Sequence, residues 1–175
     1  MAIETEYTHG ADQPTIENIV VLLHGYGADG KDLIDLAKEW EFGLSRTLFV
    51  APNAPNTCEQ NPFGYQWFSL LSWDEDRMIR GLKEAQLDLG PYLDKLSKTY
   101  GVPSNRMVLM GFSQGAMLTL HEGIYGSMDF KGLMAFSGAF FPSDTKSLHT
   151  PDVLLAHGDR DLVVPLSGTL GAEDA

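Results

Sequence analysis

Short apolar runs that alternate with helix-like segments are the feature that most restricts how this chain folds. The run Asn18–His24, NIVVLLH, consists mainly of aliphatic residues, ends at a glycine-rich turn and is typical of a strand buried on both faces. Apolar residues then recur at helical spacing over residues 33–40, with Asp29 as the predicted N-cap. This order predicts a strand, a turn and a helix.

The same alternation continues along the chain. Further strands are predicted over residues 47–51, 106–110, 131–136 and 152–156. A segment rich in Pro, Asn and Gly follows the first of these, over residues 51–73, and predicts a long irregular surface loop. Strands that alternate with helices predict an α/β fold: a mainly parallel sheet with helices on both faces.

One long amphipathic segment links the irregular loop to the strand at 106–110. Ser72 and Glu75 have the spacing of a capping box, and the helical pattern then runs to about Tyr100. Gly90 and Pro91 interrupt this pattern. We therefore expect either one bent helix or two helices in succession.

Composition restricts the class of protein. With 175 residues and 43% apolar residues, we expect a single domain over residues 1–175 with a sizeable core. The 12 Lys and Arg against 24 Asp and Glu give a formal net charge of -12, which disfavours nucleic acid and anionic membrane surfaces as partners.

Compartment can also be predicted from the sequence. The only cysteine, Cys58, cannot form an internal disulfide, and the N-terminus has no pattern of a secretory signal. No apolar run approaches the roughly 20 residues that a membrane-spanning helix needs. We therefore expect a cytoplasmic protein with no membrane span.

The motif GFSQG, at residues 111–115, follows a predicted strand and precedes a predicted helix. This G-x-S-x-G pattern is typical of a sharp turn that exposes a nucleophilic serine, and its glycines allow the turn to close without Cβ clashes. The alternative is an ordinary packing turn of small residues. We interpret Ser113 as a candidate nucleophile.

A nucleophilic serine requires donors for the oxyanion that forms during acyl transfer. The main-chain N–H of Gln114, directly after the serine, is one candidate. The turn HGYG, at residues 24–27, is the second source, with the N–H of Tyr26 as first choice. His24 itself is expected to have a structural role in this turn.

An acid is expected after the serine in hydrolases with this order of elements. Asp161, in HGDRDLVVP, follows an apolar strand and meets this requirement. Asp159 is a competing candidate, and a surface loop of solvated charges is the alternative for both.

Six ordered motifs now point to one family. The chain contains LLHGYGADGKDL, APNAP, FGYQWFSL, GFSQGAM, FSGAF and HGDRDLVVP, in this order. In these motifs it resembles the phospholipase/carboxylesterase family of α/β-hydrolases, which includes acyl-protein thioesterases. The resemblance extends from about Val20 to Pro165 and is far more specific than GFSQG alone.

The resemblance implies a fold and an activity. It implies the α/β-hydrolase fold and a serine hydrolase that cleaves small-molecule carboxylic esters or thioesters through an acyl-enzyme, without metal or cofactor. It assigns Ser113 as nucleophile, Asp161 as acid, and Tyr26 and Gln114 as oxyanion donors. It also suggests that Trp67 lines an acyl-binding site, although Trp67 could instead anchor its loop on the core.

The base of the triad is the part that the sequence does not provide. A histidine is expected after Asp161, but none follows it in these 175 residues. By the resemblance, a further helix, a last strand and a histidine-bearing loop would follow, so we expect a C-terminally incomplete fold. Of the histidines present, only His157 is considered as a base, and bracing its loop is the favoured role.

Two expectations follow from the missing elements. The strand at 152–156 would be an unprotected sheet edge, which favours self-association, for example as a homodimer. Activity of the 175-residue form would be far below that of a complete triad. The alternative function is a catalytically silent binding protein that retains the fold and the pocket.

Overall fold

The computed structural model describes residues 2–144 and 149–171, and its centre is a six-stranded sheet. The described residues form these strands: β1 (Glu6–His9), β2 (Asn18–Leu23), β3 (Thr47–Pro52), β4 (Asn56–Thr57), β5 (Tyr65–Gln66), β6 (Met107–Phe112), β7 (Gly132–Phe136) and β8 (Val153–Ala156). They form these helices: α1 (Lys31–Ile34), α2 (Leu36–Trp40), α3 (Glu75–Tyr100), α4 (Gln114–Tyr125) and α5 (Leu166–Leu170).

The sheet has the strand order β1-β3-β2-β6-β7-β8. All neighbouring pairs from β3 to β8 are parallel, which confirms the predicted parallel sheet. Strand β1, which the sequence pattern does not predict, pairs antiparallel with β3 at one edge. Because Leu23 pairs with Gly111 and Phe136 pairs with Phe112 and Ala156, the carboxyl ends of β2, β6, β7 and β8 lie along one edge of the sheet.

Both faces of the sheet are covered, as the apolar runs predict. Ile19 and Val21 of β2 point into a core that includes residues of α3 and α4. The alternate residues, Val20 and Leu22, belong to a second cluster with α1 and α2 on the opposite face. In the part of the chain that the structure describes, no helix is both long and apolar enough to cross a membrane.

Helix α3 begins at a different residue from the one predicted. Its N-cap is Asp74, whose carboxylate accepts a hydrogen bond from the N–H of Arg77 at 3.1 Å. The predicted capping box of Ser72 and Glu75 is therefore wrong, because Asp74 is closer to the first turn and supplies the acceptor. The helix continues through Pro91 without a break and ends at Tyr100, and the C-cap residue Gly101 has a φ of 65°.

The helix after β2 and the predicted irregular loop also differ from the predictions. The predicted helix after β2 is split into α1 and α2, and Gly30 rather than Asp29 is its N-cap residue. A Cβ atom on Gly30 would collide with the main chain of Ala51, so the tight contact with β3 requires glycine at this point. Within the predicted irregular loop, β4 and β5 form a short antiparallel hairpin.

Candidate active site

Ser113 lies in a sharp turn between β6 and α4. Its φ of 53° and ψ of -115° are unusual for a residue with a side chain. The turn is held by the N–H of Ser113, which donates to the carbonyl of Phe136 at 2.8 Å, and by the carbonyl of Ser113, which accepts from Ala116 at 3.0 Å. The serine is half-buried, and its hydroxyl makes no hydrogen bond to any described residue.

The two glycines of GFSQG are required by close packing. A Cβ atom on Gly115 would collide with the main-chain oxygen of Leu23, and one on Gly111 would collide with the carbonyl group of Gly115. The start of α4 therefore lies directly against the ends of β2 and β6. This packing agrees with the predicted role of both glycines.

Two main-chain N–H groups beside Ser113 are open. A Cβ atom on Gly25 would lie 3.4 Å from the Cβ of Ser113, so the HGYG turn is in contact with the serine. Among the described residues, none accepts a hydrogen bond from the N–H of Tyr26 or from that of Gln114. Both groups are therefore available as donors, and their function as an oxyanion hole stays a prediction.

The side chain of Gln114 connects the start of α4 to the loop that carries Trp67. Gln114 is fully buried, its Oε1 accepts from the main-chain N–H of Trp67 at 2.9 Å, and its Nε2 donates to the carbonyl of Phe68 at 2.7 Å. These hydrogen bonds satisfy buried polar groups on both segments. The loop is thereby fixed next to the residue that follows the candidate nucleophile.

His24 extends this network. The indole N–H of Trp67 donates to the carbonyl of His24 at 2.9 Å, and the Nε2 of His24 accepts from the N–H of Ala54 at 3.0 Å. The proton of the neutral ring is therefore on Nδ1, which donates to the carbonyl of Gly25 at 2.8 Å. Burial lowers the pKa of His24, which keeps the ring neutral. This geometry agrees with the expected structural role.

A cavity of about 720 Å³ lies between the Trp67 loop and helix α3. Its wall includes apolar residues and two arginines, among them Trp67, Phe68, Leu71, Arg77 and Arg80. Trp67 is only 2% exposed, and Ser113 does not line the cavity. The structure thus shows Trp67 anchoring its loop, and its contact with an acyl chain stays a prediction.

Asp161 is held in place by main-chain donors. Its Oδ1 accepts from the N–H groups of Val164 at 3.0 Å and Val163 at 2.8 Å, and these bonds lower the pKa of the carboxyl. Its Oδ2 lies 3.5 Å from the Nε2 of His157. The competing Asp159 is exposed. These contacts favour Asp161 as the ordered acid, and its catalytic role stays a prediction.

His157 links the Asp161 loop to the turn next to Ser113. Its side chain is 1% exposed, and its Nδ1 lies 2.5 Å from the hydroxyl of Thr169, which donates to the carbonyl of Gly138 at 2.6 Å. A Cβ atom on Gly138 would lie 3.2 Å from the main-chain oxygen of Ser113. The Nε2 of His157 is 2.8 Å from the carbonyl of Val164, so both ring nitrogens are engaged.

The remaining histidines lie away from the candidate nucleophile. His9 is on the antiparallel strand β1 and contacts Glu41. His121 is 2% exposed within α4, and burial lowers its pKa to about 4. His149 contacts Asp129. Among the described residues, no histidine hydrogen-bonds to Ser113, and no group of potential ligands is arranged to hold a metal ion.

Comparisons with known proteins identify the chain's relatives. A family model described as phospholipase/carboxylesterase matches residues 8–173. The crystal structure of esterase PE8 is similar, with 39% identity and a TM-score of 0.90, over 96% of this chain and 80% of that chain. The acyl-protein thioesterase 1 of Kluyveromyces lactis is 28% identical over 86% of this chain and 72% of its own length.

Two further relatives agree. The acyl-protein thioesterase 1 of Emericella nidulans is 29% identical over 83% of this chain and 70% of its own length. The carboxylesterase of Bacillus cereus, at 21% identity and a TM-score of 0.73, is similar in fold. The family model, esterase PE8 and the two acyl-protein thioesterases confirm the predicted hydrolase class and do not favour the alternative of a silent binding protein. The chain therefore belongs to the phospholipase/carboxylesterase family and has the predicted α/β-hydrolase fold.

Proposed function

We propose that this chain hydrolyses carboxylic esters or thioesters through an acyl-enzyme on Ser113. The observation that carries the proposal is the Ser113 turn, with its positive φ and a hydroxyl free of hydrogen bonds to described residues. The turn lies at the carboxyl edge of a parallel sheet, where ligands bind in open α/β folds. Membership of the phospholipase/carboxylesterase family supports the same chemistry.

In the proposed reaction, the Oγ of Ser113 forms a bond to the carbonyl carbon of the substrate while its proton passes to a base. The N–H groups of Tyr26 and Gln114 donate to the oxygen that becomes negatively charged. Collapse of the intermediate breaks the bond to the alcohol or thiol, which leaves with a proton. Water then attacks the acyl-enzyme, releases the carboxylic acid and restores Ser113.

The structure contains a candidate for the acid, but none of its described histidines is in position to be the base. Asp161 is ordered by main-chain N–H groups and is proposed as the acid that orients a base. None of the described histidines contacts Ser113, so these residues alone leave the serine proton to solvent or to a dissolved base. An oxyanion hole without a base retains part of the rate enhancement, roughly 10³-fold over water in serine proteases.

The substrate is proposed to be a small molecule with a small to medium acyl chain. Trp67, Phe68 and Leu71 contribute apolar surface to the wall of the cavity of about 720 Å³. Since Ser113 does not line this cavity, only the far end of an acyl chain would pack against these side chains. Trp67 would contribute by shaping this wall, since its indole N–H is already bonded to His24. No metal ion or cofactor takes part in the proposed sequence of steps.

Assembly and compartment are part of the proposal. Strand β8 is the last strand of the sheet in the described residues, and its Val153 and Leu154 are 42% and 51% exposed. An exposed apolar edge strand favours pairing with a second copy of the chain, which supports a homodimer. The buried, unpaired thiol of Cys58 suits a reducing compartment, and we propose the cytoplasm.

Hydrolysis of p-nitrophenyl acetate and butyrate by the chain and by Ser113→Ala tests the proposal. With imidazole supplied as a dissolved base, we expect hydrolysis by the chain to exceed that by Ser113→Ala. Ser127→Ala, which changes an exposed serine on the loop after α4, is the matched control and should retain the activity. A fluorophosphonate probe followed by peptide mass spectrometry should label Ser113. Equal rates in the chain and Ser113→Ala, with no label on Ser113, would contradict the proposal.

A further inference from the structure

A second cavity lies between helices α3 and α4, away from the Ser113 turn. It has a volume of about 400 Å³, and its wall includes Leu87, Gly90, Pro91, Glu122, Tyr125 and Gly126. Glu122 follows Ser113 by nine residues, which places it about 13 Å further along the helix. The proposed ester hydrolysis uses none of these residues.

Glu122 is a carboxylic acid in a setting that normally excludes charge. It is 1% exposed, and its Oε2 has no hydrogen-bond partner among the described residues. The Gln86 carboxamide approaches it, but the nitrogen of Gln86 makes no hydrogen bond of normal geometry. Burial raises the pKa of Glu122 to about 7. A buried carboxylate without a partner is costly, and a cationic partner would offset this cost.

Two glycines border the carboxyl group, and one of them, Gly90, leaves room for such a partner. A Cβ atom on Gly90 would lie 3.8 Å from the Oε1 of Glu122, and no other atom outside its own helix would lie within 4 Å of it. On the other side, a Cβ atom on Gly126 would lie 2.5 Å from the same oxygen. Any side chain at Gly126 would therefore crowd Oε1. The carboxyl group thus packs closely against Gly126, and the space beside Gly90 connects it to the cavity.

Gln86 and Ser127 contribute donors to the wall, and the other polar groups near Glu122 are acceptors. Pro91 has no N–H, so the Leu87 carbonyl lacks its usual helical partner. The carboxylate of Asp94 also lines the cavity, where it forms an ion pair with Lys98. Tyr125, Pro91 and the side chain of Leu87 contribute apolar surface. Acceptors at the base and apolar walls together fit a ligand with several N–H donors on a short hydrocarbon tail.

We propose that this cavity binds the primary ammonium group of a small alkylamine, with Glu122 as its carboxylate partner. The ammonium group donates to the carboxylate of Glu122 and to the Leu87 carbonyl, and the alkyl chain packs against Pro91 and Tyr125. A neutral alcohol of the same size lacks the charge and binds more weakly. The site is separate from Ser113, so the proposal does not depend on the ester hydrolase activity.

Titration with n-butylammonium chloride at pH 8, followed by the amide NMR signals of Gly90 and Gly126, tests the site. We expect saturable shifts with n-butylammonium and much weaker binding with n-butanol. Glu122→Gln should weaken n-butylammonium binding about tenfold or more, because a charged hydrogen bond is lost. Glu84→Gln removes the same charge from an exposed position on α3 outside this cavity and should leave binding unchanged.

A second variant keeps the test independent of the charge. Gly90→Leu retains Glu122, places a helix-forming residue in α3 and fills the space next to Oε1. We expect it to prevent binding of n-butylammonium. The proposal is overturned if n-butylammonium gives no saturable shift, or if Glu122→Gln or Gly90→Leu binds it as tightly as the unchanged chain.

Discussion

The Nδ1 of His157 lies 2.5 Å from the hydroxyl oxygen of Thr169, and this contact joins the loop of Asp161 to helix α5. The same hydroxyl donates to the carbonyl of Gly138, which follows β7 and borders the Ser113 turn. Thr169 therefore connects three segments at the carboxyl edge of the sheet. These hydrogen bonds fix the loop of the candidate acid relative to the turn of the candidate nucleophile.

Replacing Thr169 by valine should destabilise the folded chain. The Gly138 carbonyl and the His157 ring would each lose a buried partner, and we expect a loss of about 1–3 kcal/mol in the free energy of unfolding. Urea denaturation measures this change. Thr8→Val, at an exposed position of β1, is the matched control and should have little effect. Equal losses in the two variants would argue against a specific role for the Thr169 hydroxyl.

Gln114→Met should destabilise the chain through the Trp67 loop. Methionine has a similar shape but leaves the N–H of Trp67 and the carbonyl of Phe68 without their buried partners. We expect a loss of about 2–4 kcal/mol, measured by urea denaturation with Trp fluorescence as the probe. Gln60→Met, at an exposed position, provides the comparison. A Gln114→Met variant as stable as Gln60→Met would show that these hydrogen bonds contribute little.

Glu122 should make stability depend on pH in a defined direction. Its pKa is raised from 4.5 to about 7 in the folded chain, so the folded state holds this proton more tightly than the unfolded state. The stabilisation is therefore full below about pH 4.5 and is lost as the pH rises through 7. The difference corresponds to about 3 kcal/mol.

Urea denaturation of the chain and of Glu122→Gln at pH 5 and pH 8 measures this dependence. We expect the variant to lose less stability between the two values, because its amide does not titrate. Glu84→Gln, at an exposed position of α3, should behave as the unchanged chain. If all three lose stability equally, the carboxyl group of Glu122 does not titrate as its burial implies.

Added imidazole should accelerate ester hydrolysis at Ser113. No described histidine contacts the serine hydroxyl, so a dissolved base can take the place of a resident one. We expect the hydrolysis of p-nitrophenyl butyrate to rise with imidazole concentration more steeply in the chain than in Ser113→Ala, which corrects for direct attack by imidazole. Identical slopes would indicate that the serine is not accessible to a base.

Much of the fold follows from local sequence patterns, because buried parallel strands leave continuous apolar runs. The five parallel strands were therefore predictable, with boundaries shifted by one or two residues. Strand β1 was not, since Glu6 and Thr8 are exposed at the sheet edge and carry no apolar signal. The start of α3 was placed at Ser72 because Ser72 and Glu75 have the spacing of a capping box, whereas the backbone conformation makes Asp74 the N-cap.

The site was predictable to a lesser degree. Ser113 and the HGYG turn were placed at one edge of the sheet by their position after strands, and the structure brings them into contact. The network of Gln114, Trp67 and His24 was not predicted, because its hydrogen bonds join residues more than 40 positions apart. Buried Glu122 was also missed, since a single glutamate in a helical pattern resembles a solvent-exposed residue.

The positive φ of Ser113 has a consequence for engineering this chain. An L-residue with this positive φ lies in a sparsely populated region and costs about 1–3 kcal/mol, whereas glycine adopts a positive φ readily. Ser137, directly after β7, also has a positive φ, of 51°. Glycine at position 137 would increase stability and leave the candidate nucleophile in place. Glycine at position 113 would also increase stability but would remove the candidate nucleophile. A more heat-resistant chain could therefore be made at position 137 at no cost in catalysis, whereas at position 113 the two aims conflict.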